Sequence, residues 1–143
     1  GIVPGEAYPV FQTDFGKVGM LICFDHYFAS TAEKLVENGA ELILVSSAGD
    51  AAEKSIARAM DCGVYLAVCG WNMENSHGWG PGRIIAPDGS ILADTGEKNK
   101  PAFCRVDLNR PVRRHWLSLG PALSEIYGVY KYEKTYTVHP FDQ

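Results

Sequence analysis

The residues best suited to covalent chemistry lie at the end of an apolar run, Val18 to Phe24. Cys23 stands at the end of this run beside Phe24, and Asp25 and His26 follow directly. A thiol becomes a useful nucleophile where a nearby base, cation or helix N-terminus favours its thiolate. The loop that follows and the start of the next helix offer backbone N–H groups that could stabilise a developing oxyanion. These residues make Cys23 a candidate nucleophile, but on this pattern alone an inert core thiol is the favoured interpretation, because buried cysteines are common.

The two polar neighbours of this cysteine have several possible roles. His26 lies three residues after Cys23, a short spacing that favours a loop or pocket-wall role over a Cys/His pair. Asp25 is either a turn former that orients the loop or a group that contacts substrate. A zinc site built from Cys23, His26 and Cys62 or Cys69 would need a fourth ligand that the sequence does not indicate. We therefore predict no metal site.

The element that positions Cys23 is predicted to be a central strand. Residues 17–24 are apolar at nearly every position, which predicts burial on both faces of a sheet. An Asp14-Phe15-Gly16 turn connects them to a second short run, residues 9–13, as a hairpin. Cys23 then lies at the carboxyl end of the strand, where open α/β sheets place their ligands.

The following segments alternate between helical and strand patterns. Ser30 and Glu33 predict a capping box for a helix over residues 30–38 that Gly39 ends. The other predicted elements are a strand at 41–48, a helix at 51–62 ended by Gly63, a strand at 64–71, a hairpin around Pro87-Asp88-Gly89 and a strand at 102–107. This order indicates a layered α/β sheet.

Several motifs in this order resemble the nitrilase, or carbon-nitrogen hydrolase, superfamily. They are the strand Gly16–Gly19, the turn Cys23-Phe24-Asp25 and the strand start Gly39-Ala40-Glu41. The segments "ARAMDCGVYLAVCGWN" and "GRIIAPDGSILADTGE" resemble the family's later helix, strand and hairpin. The resemblance implies that residues 1–107 form the carboxyl-terminal half of a four-layer α-β-β-α sandwich. The sequence departs from the family where Phe28-Ala29-Ser30 replaces Phe-Pro-Glu, which affects the loop and substrate preference.

The resemblance also implies a reaction. Cys23 would attack a small amide, carbamoyl or nitrile substrate and form a thioester, with Phe24, Asp25 and His26 as oxyanion or pocket residues. The family carries its general-base Glu and its Lys in the first half of the fold, before the position of Gly1, so this chain alone is expected to be inactive. No cofactor is implied. Acyl transfer to an amine and a non-catalytic binding or assembly domain remain the alternatives.

Composition narrows the partners and the compartment. The chain of 143 residues has a formal net charge of -4, and its Lys and Arg residues form no long patch, which argues against nucleic acid. No apolar run is long enough to span a membrane, and the four cysteines fit neither a zinc pattern nor a disulfide framework. We expect a cytoplasmic protein with reduced thiols.

The last segment has a different character. Residues 108–143 are rich in Tyr and show no clear periodicity, so we expect a tail that packs on the domain or on a partner subunit of a homo-oligomer. A half-sandwich is also expected to expose the sheet face that the other half would cover.

Overall fold

The computed structural model describes residues 1, 3, 5–48, 52–70, 80–96 and 100–109. These residues form six strands, two α-helices and a short 3-10 helix. In chain order the elements are β1 (Val10–Gln12), β2 (Lys17–Ile22), the 3-10 helix (Cys23–Tyr27), α1 (Ala29–Glu37), β3 (Leu42–Ser46), α2 (Ala52–Cys62), β4 (Tyr65–Cys69), β5 (Arg83–Ile85) and β6 (Ile91–Asp94).

All six strands belong to one sheet in the order β1-β2-β3-β4-β5-β6. The central strands β2, β3 and β4 run parallel, whereas β1, β5 and β6 pair antiparallel with their neighbours. The parallel register pairs Ile22 with Ser46 and Ser46 with Cys69, so the carboxyl ends of the three strands meet at one edge. The α/β class and both predicted hairpins are confirmed.

Both α-helices pack on the same face of this sheet. The core joins side chains from that face of the central strands to apolar side chains of the helices: Leu21, Ile43, Val45, Leu66, Val68, Ala32, Leu35, Val36, Ala59 and Cys62. Burying such side chains is the main favourable term in the folding free energy, at roughly 25 cal/mol per Å² of apolar surface. This face fixes the strand that precedes Cys23.

The opposite face, which we call the open face, is apolar and accessible. Met20 and Ile22 of β2 are 56% and 69% exposed, and Leu44 of β3 is also exposed. The prediction that β2 is buried on both faces is therefore wrong for the described chain, because both helices cover the same side. The expectation that a half-sandwich exposes one sheet face agrees with the structure.

The predicted capping box of α1 is wrong. The helix begins at Ala29 with Phe28 as its N-cap, and no side chain caps it, so Ser30 lies inside the first turn. The hydroxyl of Thr31 instead donates to the carbonyl oxygens of Phe28, at 2.7 Å, and Asp25, at 2.6 Å. These bonds connect the helix start to the loop that carries Cys23.

The carboxyl end of α1 follows the prediction. Gly39 has a positive φ of 95°, its N–H donates to the carbonyl of Val36 at 2.8 Å, and the N–H of Ala40 donates to the carbonyl of Leu35 at 3.0 Å. This is a Schellman motif, which requires a residue in the left-handed region after the helix. Gly63 follows α2 with a φ of 63°, and the N–H of Val64 donates to the carbonyl of Ala59 at 3.1 Å.

The strand predicted at residues 102–107 does not form. This segment pairs with none of the described strands, and Phe103 is 84% exposed. An extended sequence becomes a strand only where a sheet edge offers hydrogen bonds, and here the edge strand β6 remains without a further partner among the described residues. The predicted tail lies outside the described residues beyond Asn109.

Replacing Gly39 by Ala should destabilise the protein, because a Cβ is strained at a φ of 95° and would lie 3.4 Å from the Lys17 side chain. We expect a loss of about 1 kcal/mol in the free energy of unfolding, measured by urea denaturation. Gly5→Ala, where the nearest atom to the new Cβ is 3.9 Å away, is the matched control. Equal stability of the two variants would contradict this account of the helix end.

Candidate active site

Cys23 occupies the sharp turn between β2 and the 3-10 helix, and its side chain is exposed. Its φ is 46°, and no other non-glycine residue in the described part of the chain has a positive φ. The left-handed region costs a residue with a Cβ roughly 1–2 kcal/mol. Such strain persists only where neighbouring interactions hold it, and it is found preferentially at active sites and ligand clamps. The backbone therefore marks Cys23 independently of its chemistry.

Two hydrogen bonds hold the backbone on either side of Cys23. The Asp25 carboxylate accepts a hydrogen bond from the N–H of Ile22 at 3.0 Å, and His26 Nδ1 donates to the carbonyl oxygen of Cys23. Asp25 thus has the contact expected of a residue that orients the loop. Its own carbonyl also accepts the N–H of Phe28 at 3.2 Å, which closes the turn.

The His26 side chain is buried. Its exposure is 0%, its ring lies edge-on to Tyr27 with centroids 4.8 Å apart, and its Nδ1 contacts a main-chain oxygen of Cys23. In the described part of the chain, its Nε2 atom is buried without a hydrogen-bond partner. The polar contact of His26 with Cys23 is therefore made through the backbone.

Three aromatic rings surround the turn. Phe24 is 62% exposed, stacks on Tyr27 with centroids 5.0 Å apart and meets Phe28 edge-on at 5.4 Å. The Nζ atom of Lys54 lies 4.1 Å from the centroid of the Tyr27 ring, a cation–π contact from α2. Sequence reasoning missed Tyr27 and Lys54. The aromatic residues at positions i, i+3 and i+4 were the available signal for the ring cluster, whereas the Lys54 contact is tertiary.

A cavity of about 400 Å³ lies on the open face. Its lining includes Met20, Leu44, Ser46, Cys69 and Thr95, and it is mostly apolar. Cys23 does not line it, although Ser46 ends β3, the strand next to β2, and Cys69 ends β4 on the other side of β3. The described residues thus bring the candidate nucleophile to the sheet edge but do not enclose it.

One ion pair fixes the rim of this cavity. Arg83 of β5 lines the cavity, and its Nε donates to the Asp94 carboxylate of β6 at 2.9 Å. The N–H of Gly96 also donates to Asp94, and these hydrogen bonds lower the pKa of its carboxyl. The hairpin of β5 and β6 is thereby held beside the open face.

Other candidate groups are distant from Cys23 or are not assembled into a site. Lys17 begins β2 and Cys23 follows its last residue, so the two lie at opposite edges of the sheet. Within the described ranges, no group of three or more His, Cys, Asp and Glu side chains could hold a metal ion. No helix among those residues is long and apolar enough to cross a membrane.

Fold and site together define an α/β protein that presents an exposed, backbone-strained cysteine at the carboxyl edge of a parallel sheet. The sequence profile of the carbon-nitrogen hydrolases matches residues 2–116. The omega-amidase of Xenopus tropicalis is 30% identical over 115 residues, which cover 73% of this chain and 42% of that relative. The chain belongs to the carbon-nitrogen hydrolase family.

Solved structures agree with this assignment. Nit3 of Saccharomyces cerevisiae, a nitrilase-superfamily member, matches with a TM-score of 0.67 and 25% identity, covering 88% of this chain and 45% of that one. A form of the amidase from Nesterenkonia sp. AN1, with acrylamide added at its active site cysteine, matches with a TM-score of 0.55 and 29% identity, covering 64% and 40%. The predicted nitrilase-like fold is confirmed, and this chain spans less than half the length of these proteins.

Exposure predicts which thiols react. Cys23 is exposed and Cys62 is buried, so brief iodoacetamide treatment of the native protein should label Cys23 and leave Cys62 unlabelled. Peptide mass spectrometry after graded exposure measures both rates, and unfolding in urea before labelling is the control that should make Cys62 reactive. Labelling of Cys62 at the rate of Cys23 in the native state would contradict the described burial.

Proposed function

We propose that Cys23 is the nucleophile of an amide hydrolase. The thiolate attacks the carbonyl carbon, the C–S bond forms, and the C–N bond breaks as the nitrogen leaves with a proton. Water then attacks the thioester, the C–S bond breaks, and the products are a carboxylic acid and the restored thiol. The observation that carries the proposal is the exposed, left-handed Cys23 at the carboxyl edge of the sheet. The cysteine adduct of the Nesterenkonia amidase supports it.

The oxyanion of the tetrahedral intermediate needs hydrogen-bond donors. A 3-10 helix that begins at Cys23 uses i to i+3 bonds, so the N–H groups of Cys23 and Phe24 have no carbonyl partner within that helix. We assign the Phe24 N–H as one donor, because it belongs to the peptide that directly follows the nucleophile. One such donor typically contributes about 100- to 1,000-fold to kcat.

The general base and the stabilising lysine are proposed to come from chain outside residues 1–143. Lys17 lies at the opposite edge of the sheet from Cys23, and Glu33 is exposed on α1. This chain spans 42% of the omega-amidase and 45% of Nit3, which leaves room for such residues in a longer protein. Residues 1–143 alone are then expected to be inactive.

Small amides are the substrate class that the relatives favour. Omega-amidase and amidase are the activities named for two of the three proteins described above, and carbamoyl and nitrile substrates are the other candidates. Transfer of the acyl group to an amine uses the same thioester and differs only in the second step. The four free thiols of residues 23, 62, 69 and 104 agree with our proposal of a reducing, cytoplasmic environment.

A second candidate function is non-catalytic assembly. The open face with Met20, Ile22 and Leu44 favours it, since accessible apolar patches commonly mark interaction surfaces. In that case the strained turn at Cys23 would have no chemical role, and its replacement would leave the function unchanged.

The two functions are separated by ammonia release from a panel of small primary amides, measured with the complete protein. Cys23→Ala should lower the rate by more than about 1,000-fold, because the reaction loses its nucleophile. Cys104→Ala, an exposed thiol outside the cavity lining, is the matched control and should retain the wild-type rate.

Adding hydroxylamine tests the second step. A hydrolase releases mainly acid, whereas an acyl transferase forms hydroxamate in proportion to the amine. Unchanged ammonia release in Cys23→Ala would rule out the proposed nucleophile, and the absence of turnover with every amide of the panel would favour the assembly function.

A further inference from the structure

The buried histidine next to the nucleophile has one feature that burial alone does not explain. His26 is 0% exposed, and in the described part of the chain its Nε2 has no hydrogen-bond partner. A leucine would fill a similar space without placing an unpartnered polar atom in the core. What the histidine adds is therefore the hydrogen bond from Nδ1 to the carbonyl oxygen of Cys23.

That hydrogen bond determines the direction of a second group. The carbonyl of Cys23 and the N–H of Phe24 belong to the same peptide unit, and the described chain contains no cis peptide bond. In a planar trans peptide the C=O and N–H vectors point in opposite directions. When His26 holds the carbonyl toward the buried side, the N–H of Phe24 points away from His26. A carbonyl that accepts a hydrogen bond also polarises its peptide, which strengthens the N–H as a donor.

A separate hydrogen bond holds the backbone that precedes Cys23. The Asp25 carboxylate accepts the N–H of Ile22 at 3.0 Å, one residue before the nucleophile. The two side chains therefore act on different peptide units: Asp25 fixes the entry into the turn and His26 fixes the exit. Only the exit peptide carries the proposed oxyanion donor.

We infer that His26 is a positioning residue that orients the Phe24 N–H toward the oxyanion. The inference rests on the proposed function, since it needs Cys23 to attack a carbonyl carbon. It goes beyond that function because it assigns a role to His26, which acts through the Cys23–Phe24 peptide.

Two reactions of the same thiol separate this role from a merely structural one. Acylation by p-nitrophenyl acetate forms the S–C bond through a tetrahedral oxyanion and releases p-nitrophenolate. Alkylation by iodoacetamide forms the S–C bond by displacing iodide, with no oxyanion. A residue that orients an oxyanion donor affects the first rate and not the second. Both rates are measured in the complete protein, with Cys23→Ser as the baseline.

Three variants make the test. His26→Leu removes the donor, His26→Asn keeps an amide donor near the position of Nδ1, and His26→Gln places its donor farther along the side chain. We expect His26→Leu to lower the acylation rate by about 100-fold while alkylation stays within about twofold of wild type. His26→Asn should restore most of the acylation rate, and His26→Gln should restore little. If His26→Leu does not fold, the Asn and Gln pair gives the same comparison.

The outcomes distinguish the positioning role of His26 from the proposed function of Cys23. Unchanged acylation in His26→Leu, or equal losses of acylation and alkylation in every folded variant, would overturn the positioning role and leave the proposed function intact. Equal acylation rates for the Asn and Gln variants would overturn it as well. No acylation of wild-type Cys23 above the Cys23→Ser baseline would overturn the proposed function, and the role of His26 with it.

Discussion

The parallel register of β2, β3 and β4 is the constraint on which the rest of the structure depends. It aligns Ile22, Ser46 and Cys69 at one edge, so the residue after Ile22 has to turn out of the sheet at that edge. That residue is Cys23, and it turns with a positive φ of 46°. The sheet face that α1 and α2 cover supplies the burial that offsets this strain. Asp25 and His26 hold the turn through backbone contacts. The position of the thiol thus follows from strand pairing, and its presentation follows from the contacts that hold the turn.

The two faces of the sheet have different roles. One face is covered by α1 and α2 and forms the core, whereas the open face presents Met20, Ile22 and Leu44. The described residues therefore supply one sheet and one helical layer of the sandwich, and the chain covers less than half of Nit3. An apolar face of this kind favours association with further protein surface. Because both helices cover the same face of the sheet, the described residues do not enclose the site at Cys23.

Much of the fold could be predicted because its signals are local. Gly39 and Gly63 end their helices through backbone freedom that a sequence displays directly, and the hairpin at Pro87-Asp88-Gly89 has its own turn chemistry. The capping box at Ser30 failed because the chain places Phe28 at the N-cap, and the strand at 102–107 failed because strands need a partner. For the site, sequence indicated Cys23 and its neighbours. The left-handed φ and the contact of His26 with a carbonyl depend on tertiary packing, which periodicity does not report.

The central claim is that Cys23 carries the acyl group of an amide substrate. Rapid-quench peptide mass spectrometry of the complete protein during turnover of a small amide tests it most directly. The account predicts an acyl adduct on the peptide that contains Cys23, formed at least as fast as ammonia is released and lost by hydrolysis. Turnover with the adduct on another residue, such as Cys69, or continued turnover in Cys23→Ser with no adduct, would contradict it.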